Sequence, residues 1–422
     1  MVCKYYHKEH SMLNDLFSLS QTFLRIRNRT FQRSFLRDHP LTNRFSIIIG
    51  QRGIGKTTVM IQHLLGSQAG DLYTRKALYL QADHFLVSRS SLYEIADEFQ
   101  KLGGELICFD EVHKYPAWSM ELKSITDTFP DLKILASGSS ALEVAKGSHD
   151  LSRRALVLRM FGLSFREYLG MAHGLAFDLL TLDDMVAGHQ KAADSILREL
   201  EKNGHKVLAL FNDYLECGYY PYFLEYQDKT MFRMTLDQHI HTTLEGDLPA
   251  IHPALNGSSI RKMHKLLAVI SSLVPFTPDM KQLKQMLEIG DERTLKTYLS
   301  YLEDAGILLT ISKSSKGLRA MEKPEKIYLN NPNLYYALAG GKAPESGATR
   351  ETFFLNMLRP GHSVRVPSRG DFLVDETLTF EVGGKNKDSS QIKEIDKSWL
   401  ALDNIEIGQG NRIPLWLFGF LY

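Results

Sequence analysis

Cysteine is scarce in this 422-residue chain, which has only Cys3, Cys108 and Cys217. They stand far apart with no CxxC spacing, which argues against a disulfide framework and a thiolate zinc site and fits a reducing cytoplasm. Net charge is scarce too: 50 Lys plus Arg nearly cancel 49 Asp plus Glu. No global field therefore recruits nucleic acid or an anionic membrane, and any such binding must be local. Long apolar runs are missing, since none reaches about 18 residues. The opening Met-Val-Cys-Lys-Tyr-Tyr-His-Lys-Glu-His lacks a signal-peptide core. The expectation is a soluble cytoplasmic protein. Its apolar share of 44% and charged share of 23% belong to chains that bury cores, and its length allows two or three domains.

What is present begins with Phe45-Ser-Ile-Ile-Ile-Gly-Gln-Arg-Gly-Ile-Gly-Lys-Thr-Thr58. Three isoleucines predict a buried strand, Gly50 to Gly55 a tight loop, and Thr57 to Leu65 the start of a helix. This is a phosphate-binding loop in its required context. Gly50, Gly53 and Gly55 let the backbone wrap a polyphosphate, and Gln51, Arg52 and Ile54 complete the loop. The helix that follows, starting with Lys56, Thr57 and Thr58, presents its positive end to the same anion. Lys56 is expected to reach the β- and γ-phosphates of ATP, and the Thr57 hydroxyl to bind Mg²⁺.

Ala77 to Leu80 reads as a second buried strand, and Leu92 to Phe99 as an amphipathic helix. Alternating strands and helices imply a parallel α/β sheet. A third strand, Leu106-Ile-Cys-Phe-Asp110-Glu111, ends in two carboxylates expected beside the loop. Asp110 would hold the Mg²⁺ shell and Glu111 would polarise the attacking water. A fourth strand over 132–136 runs into Ser137. Its hydroxyl either senses the γ-phosphate or orients water, or it caps a helix starting near Ala141. Arg153 and Arg154 precede a short strand; one of them either stabilises transition-state charge or both lie on the surface.

Residues 1 to 43 carry an amphipathic pattern (Leu13, Leu16, Phe17, Phe23, Leu24) and a basic stretch, Arg25 to Arg33, expected to lie on the nucleotide domain with a solvated basic face. The stretch 170–265 reads as mainly helical, with Phe211 to Phe223 an aromatic turn packed into a core. Between about 262 and 312, three helices and a strand, with Asp291 as an N-cap and Gly306 as a stop, describe a winged helix. Arg293, Lys296 and Ser300 would share one exposed side of its third helix, and Lys313, Lys316 and Arg319 the wing. Double-stranded DNA through Arg293 and Lys296 is one partner reading. Glu292, Glu303 and Asp304 on the same helix favour a protein partner instead, and both readings stay open.

Four segments in order, FSIIIGQRGIGKTT, LICFDEVHKYPAW, ILASGSSALE and SRR…LSFREYL, resemble a group of AAA-type ATPases related to the archaeal ATPase family. The resemblance implies an ATPase on an additional-strand P-loop sheet, with a winged helix and a nuclease-like fold at the C-terminus. The fold expected is therefore a P-loop NTPase parallel sheet, then a helical and winged-helix region, then a small α/β nuclease-like domain. The boundaries expected are 1–175, 176–320 and 321–422. The last part offers Glu351 on a helix and Asp371 and Glu381 on strands, as restriction-type nucleases arrange a Mg²⁺ site. Their lysine is missing: Gly383 stands two residues after Glu381, and Lys385 is the nearest lysine, so a degenerate site without nuclease activity is expected. A helix over Gln391 to Leu402 is expected to close the unit. Monomer, dimer and hexamer are all compatible with the sequence.

Overall fold

The computed structural model describes residues 12–139, 151, 153–272, 277, 279–313 and 324–422. The helix expected near Ala141, and Lys316 and Arg319 of the wing, lie outside them. The chain divides into two compact units: Met1–Gly50 with Gly55–Met160, and Gln51–Ile54 with Phe161–Tyr422.

In the first unit α1 (Met12–Arg27) and α2 (Ser34–Asp38) precede β1 (Phe45–Ile49) and α3 (Lys56–Ser67). There follow β2 (Ala77–Gln81), α4 (Leu92–Lys101), β3 (Leu106–Asp110), α5 (Trp118–Thr128), β4 (Lys133–Gly138) and β5 (Leu156–Arg159). The strands form one parallel sheet in the order β2-β3-β4-β1-β5. Every residue of β1 and β3 is buried, as near-continuous apolar runs require inside a parallel sheet. Ser91 and Glu94 close a reciprocal capping box on α4, which fixes where that helix starts. Leu13, Leu16 and Phe17 of α1 join the core of this unit; of the basic stretch Arg25, Arg27 and Arg29 are exposed, but Arg33, expected on the solvated face, is buried.

β4 is inserted between β1 and β3, the arrangement that an additional-strand P-loop sheet implies; the strands are equally apolar, so crossover geometry rather than composition chooses the pairing.

The second unit begins with α6 (Phe165–His173), α7 (Leu182–Lys202), α8 (Val207–Asp213), α9 (Lys229–Thr242), α10 (Leu248–Ile251) and α11 (Gly257–Ser272). π-helical turns at Tyr214–Gly218 and Thr243–Asp247 follow α8 and α9. Phe211, Tyr214, Tyr219 and Tyr220 are buried, so the aromatic turn is core. Next come α12 (Met280–Met286), α13 (Glu292–Asp304), and an antiparallel pair, β6 (Leu308–Ile311) with β7 (Lys326–Leu329). Asp291 caps α13 by accepting from Arg293 N.

Beyond them α14 (Pro332–Leu338) and α15 (Ser346–Leu358) lead into β8 (Val364–Arg365), β9 (Phe372–Val374), β10 (Leu378–Gly384), β11 (Ser398–Asp403) and β12 (Arg412–Pro414). The sheet runs β12-β11-β10-β9-β8, parallel across β10, β11 and β12 and antiparallel elsewhere. One core takes in Phe165, Phe211, Phe353, Phe380 and Phe418. The chain is thus α/β: a parallel sheet of P-loop type, a helical region, and a mixed sheet. The helix expected over 391–402 is not formed. Trp399-Leu-Ala-Leu402 pairs with Phe380–Gly383 as a strand, and a four-residue apolar run carries no period to separate the two outcomes.

Candidate functional site

The end of β1, the start of α3 and the ends of β3 and β4 build the principal site. Gly53 and Gly55 have φ of +83° and +97°, a region that side chains with a Cβ rarely enter. Gly55 stands at the N-cap of α3, where it offers no side chain to the first amides of the helix, and such a helix start suits an anion. Lys56 is buried; its Nζ donates to the Gly50 carbonyl at 3.0 Å and lies 3.8 Å from Glu111 Oε1.

Asp110 is fully buried at the end of β3. Its carboxylate accepts from Thr57 Oγ1 at 2.6 Å, from Tyr79 OH at 2.6 Å and from the Ser137 hydroxyl. Ser137 in turn accepts from the Glu111 amide at 3.1 Å. The strand inserted between β1 and β3 is therefore what places Ser137 against both acidic residues. Burial, then the adjacent Asp110 charge, push the Tyr79 phenol far above its ordinary pKa, so it remains a donor.

Glu111 has φ +56° and ψ +40°, a left-handed backbone that costs a non-glycine residue roughly 1–3 kcal/mol and tends to occur where a side chain must be aimed. Its Oε2 lies 3.7 Å from His113 Nε2 and 3.8 Å from Lys114 Nζ, and Lys114 also meets Asp83 at 2.8 Å. Three basic groups thus surround this carboxylate.

Of the residues expected from sequence, Lys56, Thr57, Asp110, Glu111 and Ser137 come together. Gln51, Arg52, Gly53 and Ile54 are the loop itself, and Thr58 lies in the first turn of α3. Arg154 forks onto Asp127 of α5 at 2.6 and 2.9 Å, and this hydrogen bonding holds Asp127 below its ordinary pKa. Arg153 is exposed. Sequence reasoning missed Tyr79, His113 and Lys114. The signals were a lone tyrosine in the strand Ala-Leu-Tyr-Leu and two basic residues just after Asp-Glu.

A second constellation lies in the other unit. Glu351 on α15, Asp371 at the head of β9 and Glu381 on β10 are joined by lysines from elsewhere. Lys326 of β7 sits 3.2 Å from Glu351 Oε2 and 3.0 Å from Asp371 Oδ1, and Tyr328 OH donates to Glu351 Oε2 at 2.6 Å. Lys387 Nζ is 2.6 Å from Glu381 Oε1, while Lys385, the nearest lysine in sequence, is exposed. A Cβ at Gly383 would come within 2.7 Å of the Lys387 stem, so the absent side chain at 383 leaves the path that Lys387 takes. Burial, then Asp371, raise the Glu351 pKa, and burial also raises that of Glu381. Burial pulls Lys326 down, but the attraction of Glu351 and Asp371 outweighs it and the ammonium is held above its ordinary value.

Residues 42–169 match the model of a family described as an AAA domain, so this part of the chain is AAA-like in sequence. Residues 208–345 match a domain of unknown function, DUF8612. An uncharacterised protein of Methanocaldococcus jannaschii is 24% identical over 303 residues, 67% of this chain. The chain covers 59% of that relative's length. Among solved structures, the Hsp104–ADP complex of S. cerevisiae aligns with a TM-score of 0.28 and 13% identity over 70% of this chain and 41% of that one. Domain III of the Thermotoga maritima replication initiation protein DnaA aligns with a TM-score of 0.24 and 16% identity over 47% and 92%.

Proposed function

We propose that this protein is a Mg²⁺-dependent ATPase whose nucleotide state acts on a DNA or protein partner held by its C-terminal half. The observation that carries the reading is the Asp110 carboxylate meeting the Thr57 hydroxyl at 2.6 Å while Glu111 lies 3.8 Å from Lys56. Thr57 and Asp110 fit a Mg²⁺ ion, since a hard cation takes oxygen donors and keeps several waters. Bound there, Mg²⁺ would neutralise phosphate charge. Loop amides and Lys56 hold the β- and γ-phosphates, and Glu111 accepts the proton of the attacking water. Ser137 orients Asp110 and Glu111 rather than touching nucleotide. Arg153 is the arginine proposed for transition-state charge, because Arg154 is committed to Asp127.

For the partner, three helices followed by a two-stranded pair support a winged helix, with Arg293 exposed on α13 and Lys296 paired to Glu292 at 3.3 Å. The C-terminal sheet is proposed to be nuclease-like but without cleavage, because Lys326 stands between Glu351 and Asp371 where a metal ion would be needed. The chain's three scattered cysteines suit a reducing cytoplasm, and among the described residues no helix is long and apolar enough to cross a membrane. The test is steady-state phosphate release with Mg·ATP, wild type beside Lys56→Ala and Glu111→Gln, with and without double-stranded DNA. Loss in both variants with stimulation by DNA supports a DNA-coupled motor; loss without stimulation points to a protein partner. An inert wild type would replace this reading with a nucleotide-gated binder.

A further inference from the structure

Three side chains of the second unit, none of them used above, converge on one point. His241 lies in the last turn of α9, Glu245 in the π-helical turn that continues it, and His264 on α11. Glu245 Oε1 is 3.5 Å from His241 Nδ1 and 3.4 Å from His264 Nε2. Donor atoms of all three residues lie within 4.8 Å of one another. A tetrahedral ion with bonds of ~2.0–2.2 Å sets neighbouring donors ~3.3–3.6 Å apart, so the carboxylate oxygen already stands at ligand spacing from both imidazoles.

The rest of the environment agrees. His264 Nε2 is shielded from solvent and has no hydrogen-bond partner, although the carboxylate is near, which leaves that nitrogen for a metal. His241 turns its other nitrogen, Nε2, towards Asp237 Oδ2 at 3.8 Å. At that distance Asp237 makes no hydrogen bond to the ring, but its charge faces the imidazole from behind, where a carboxylate raises the basicity of a ligand. A cavity of about 480 Å³ opens beside the two imidazoles, lined in part by Asp237, His241 and His264, and Glu245 is 59% exposed, so water can reach a fourth position. π-helical turns are rare and recur at functional sites.

We propose that His241, Glu245 and His264 bind one Zn²⁺ ion, with an open fourth position, and that the ion ties the end of α9 to α11. Two imidazoles and one carboxylate suit a borderline transition metal, whereas Mg²⁺ and Ca²⁺ require oxygen donors. The site lies within the stretch that matches the domain of unknown function and does not depend on the nucleotide reading.

The test titrates Co²⁺, as a spectroscopic stand-in for Zn²⁺, into the full chain after treatment with chelator. Wild type should develop the intense visible bands of four-coordinate Co²⁺ at one equivalent, and Zn²⁺ should remove them. Glu245→Gln, at a well-exposed position, and His264→Ala should each abolish the bands, while Asp237→Asn should weaken binding ~10–100-fold. Thermal melting without metal shows that each variant is folded, and added Zn²⁺ should raise the melting temperature of wild type, and of Asp237→Asn only at higher concentration, but not that of Glu245→Gln or His264→Ala. Absence of the bands in wild type, or their persistence in folded Glu245→Gln, would overturn the site.

Discussion

Each unit gathers carboxylates and lysine around the inner strands of its sheet, yet the two clusters hold their carboxylates in different ways. In the first unit the three groups hydrogen-bonded to the Asp110 carboxylate are hydroxyls, from Thr57, Tyr79 and Ser137. Neutral donors stabilise a carboxylate but leave its charge uncompensated. In the second unit Lys326 neutralises Glu351 and Asp371, and Lys387 meets Glu381. Ammonium groups satisfy those carboxylates from within the chain. In the first cluster the cations Lys56 and Lys114 lie 3.8 Å from Glu111 and leave Asp110 to hydroxyls, whereas in the second the lysines meet all three carboxylates directly. Similar residue types thus produce a carboxylate held by hydroxyls in one place and a set of ion pairs in the other.

The largest expected effect breaks the first half of this comparison. Glu111→Gln should lower ATP turnover by ~10²–10⁴-fold, the range for a general base, while a fluorescent nucleotide still binds. Lys56→Ala should lose both turnover and binding. If both variants turned over at the wild-type rate, the carboxylate cluster of the first unit would have no catalytic meaning.

Next, Lys326→Met should destabilise the second unit by about 3–5 kcal/mol in chemical denaturation, because removing one partner strands buried charge. The sign of its pH dependence follows from Glu351, whose carboxyl is raised above the ordinary 4.5 by burial and Asp371. A raised carboxyl favours the folded state below its unfolded value and loses that contribution as pH rises through the folded one. The deficit of Lys326→Met should therefore be greatest near neutrality and shrink as pH falls towards 4.5. Gly383→Ala, by displacing the Lys387 stem, should reproduce the smaller loss of Lys387→Met. A deficit independent of pH would show that packing of the Lys326 side chain, not charge, is what matters.

Tyr79→Phe sharpens the comparison, since it removes one neutral donor from Asp110. A hydrogen bond to a charged group contributes ~1.5–3 kcal/mol, so denaturation should show a loss of that order. Added Mg²⁺ should recover part of it, whereas Lys387→Met, with Lys326 still on Glu351 and Asp371, should gain less. The smallest effect is Ser91→Ala, which opens the capping box of α4 and should cost about 1 kcal/mol with turnover unchanged.

The nucleotide cluster was legible because its parts are local. Gly50 to Thr58 is one continuous turn, and Asp110 and Glu111 are adjacent at a strand end, so residue type and spacing carried the chemistry. The C-terminal cluster was half legible. Glu351, Asp371 and Glu381 could be read, but the lysines could not. Lys326 comes from β7, 45 residues before Asp371, and Lys387 rather than Lys385 reaches Glu381 because an empty position at Gly383 opens its path. The strand at 398–403 was misread for a related reason, as a short buried segment is helix or strand according to what lies beside it.

The sequence by itself determined the phosphate-binding loop, the acidic strand end, the amphipathic arm and the helices of the middle region. Each follows from backbone preference, capping or periodicity within a dozen residues. Only the tertiary structure decided that Ser137 lies against Asp110, that ammonium groups occupy the second acidic cluster, and that His241, Glu245 and His264 meet. Those outcomes depend on pairing and packing between segments distant in the chain, where many arrangements satisfy the local rules and one buries the most surface with its polar groups satisfied.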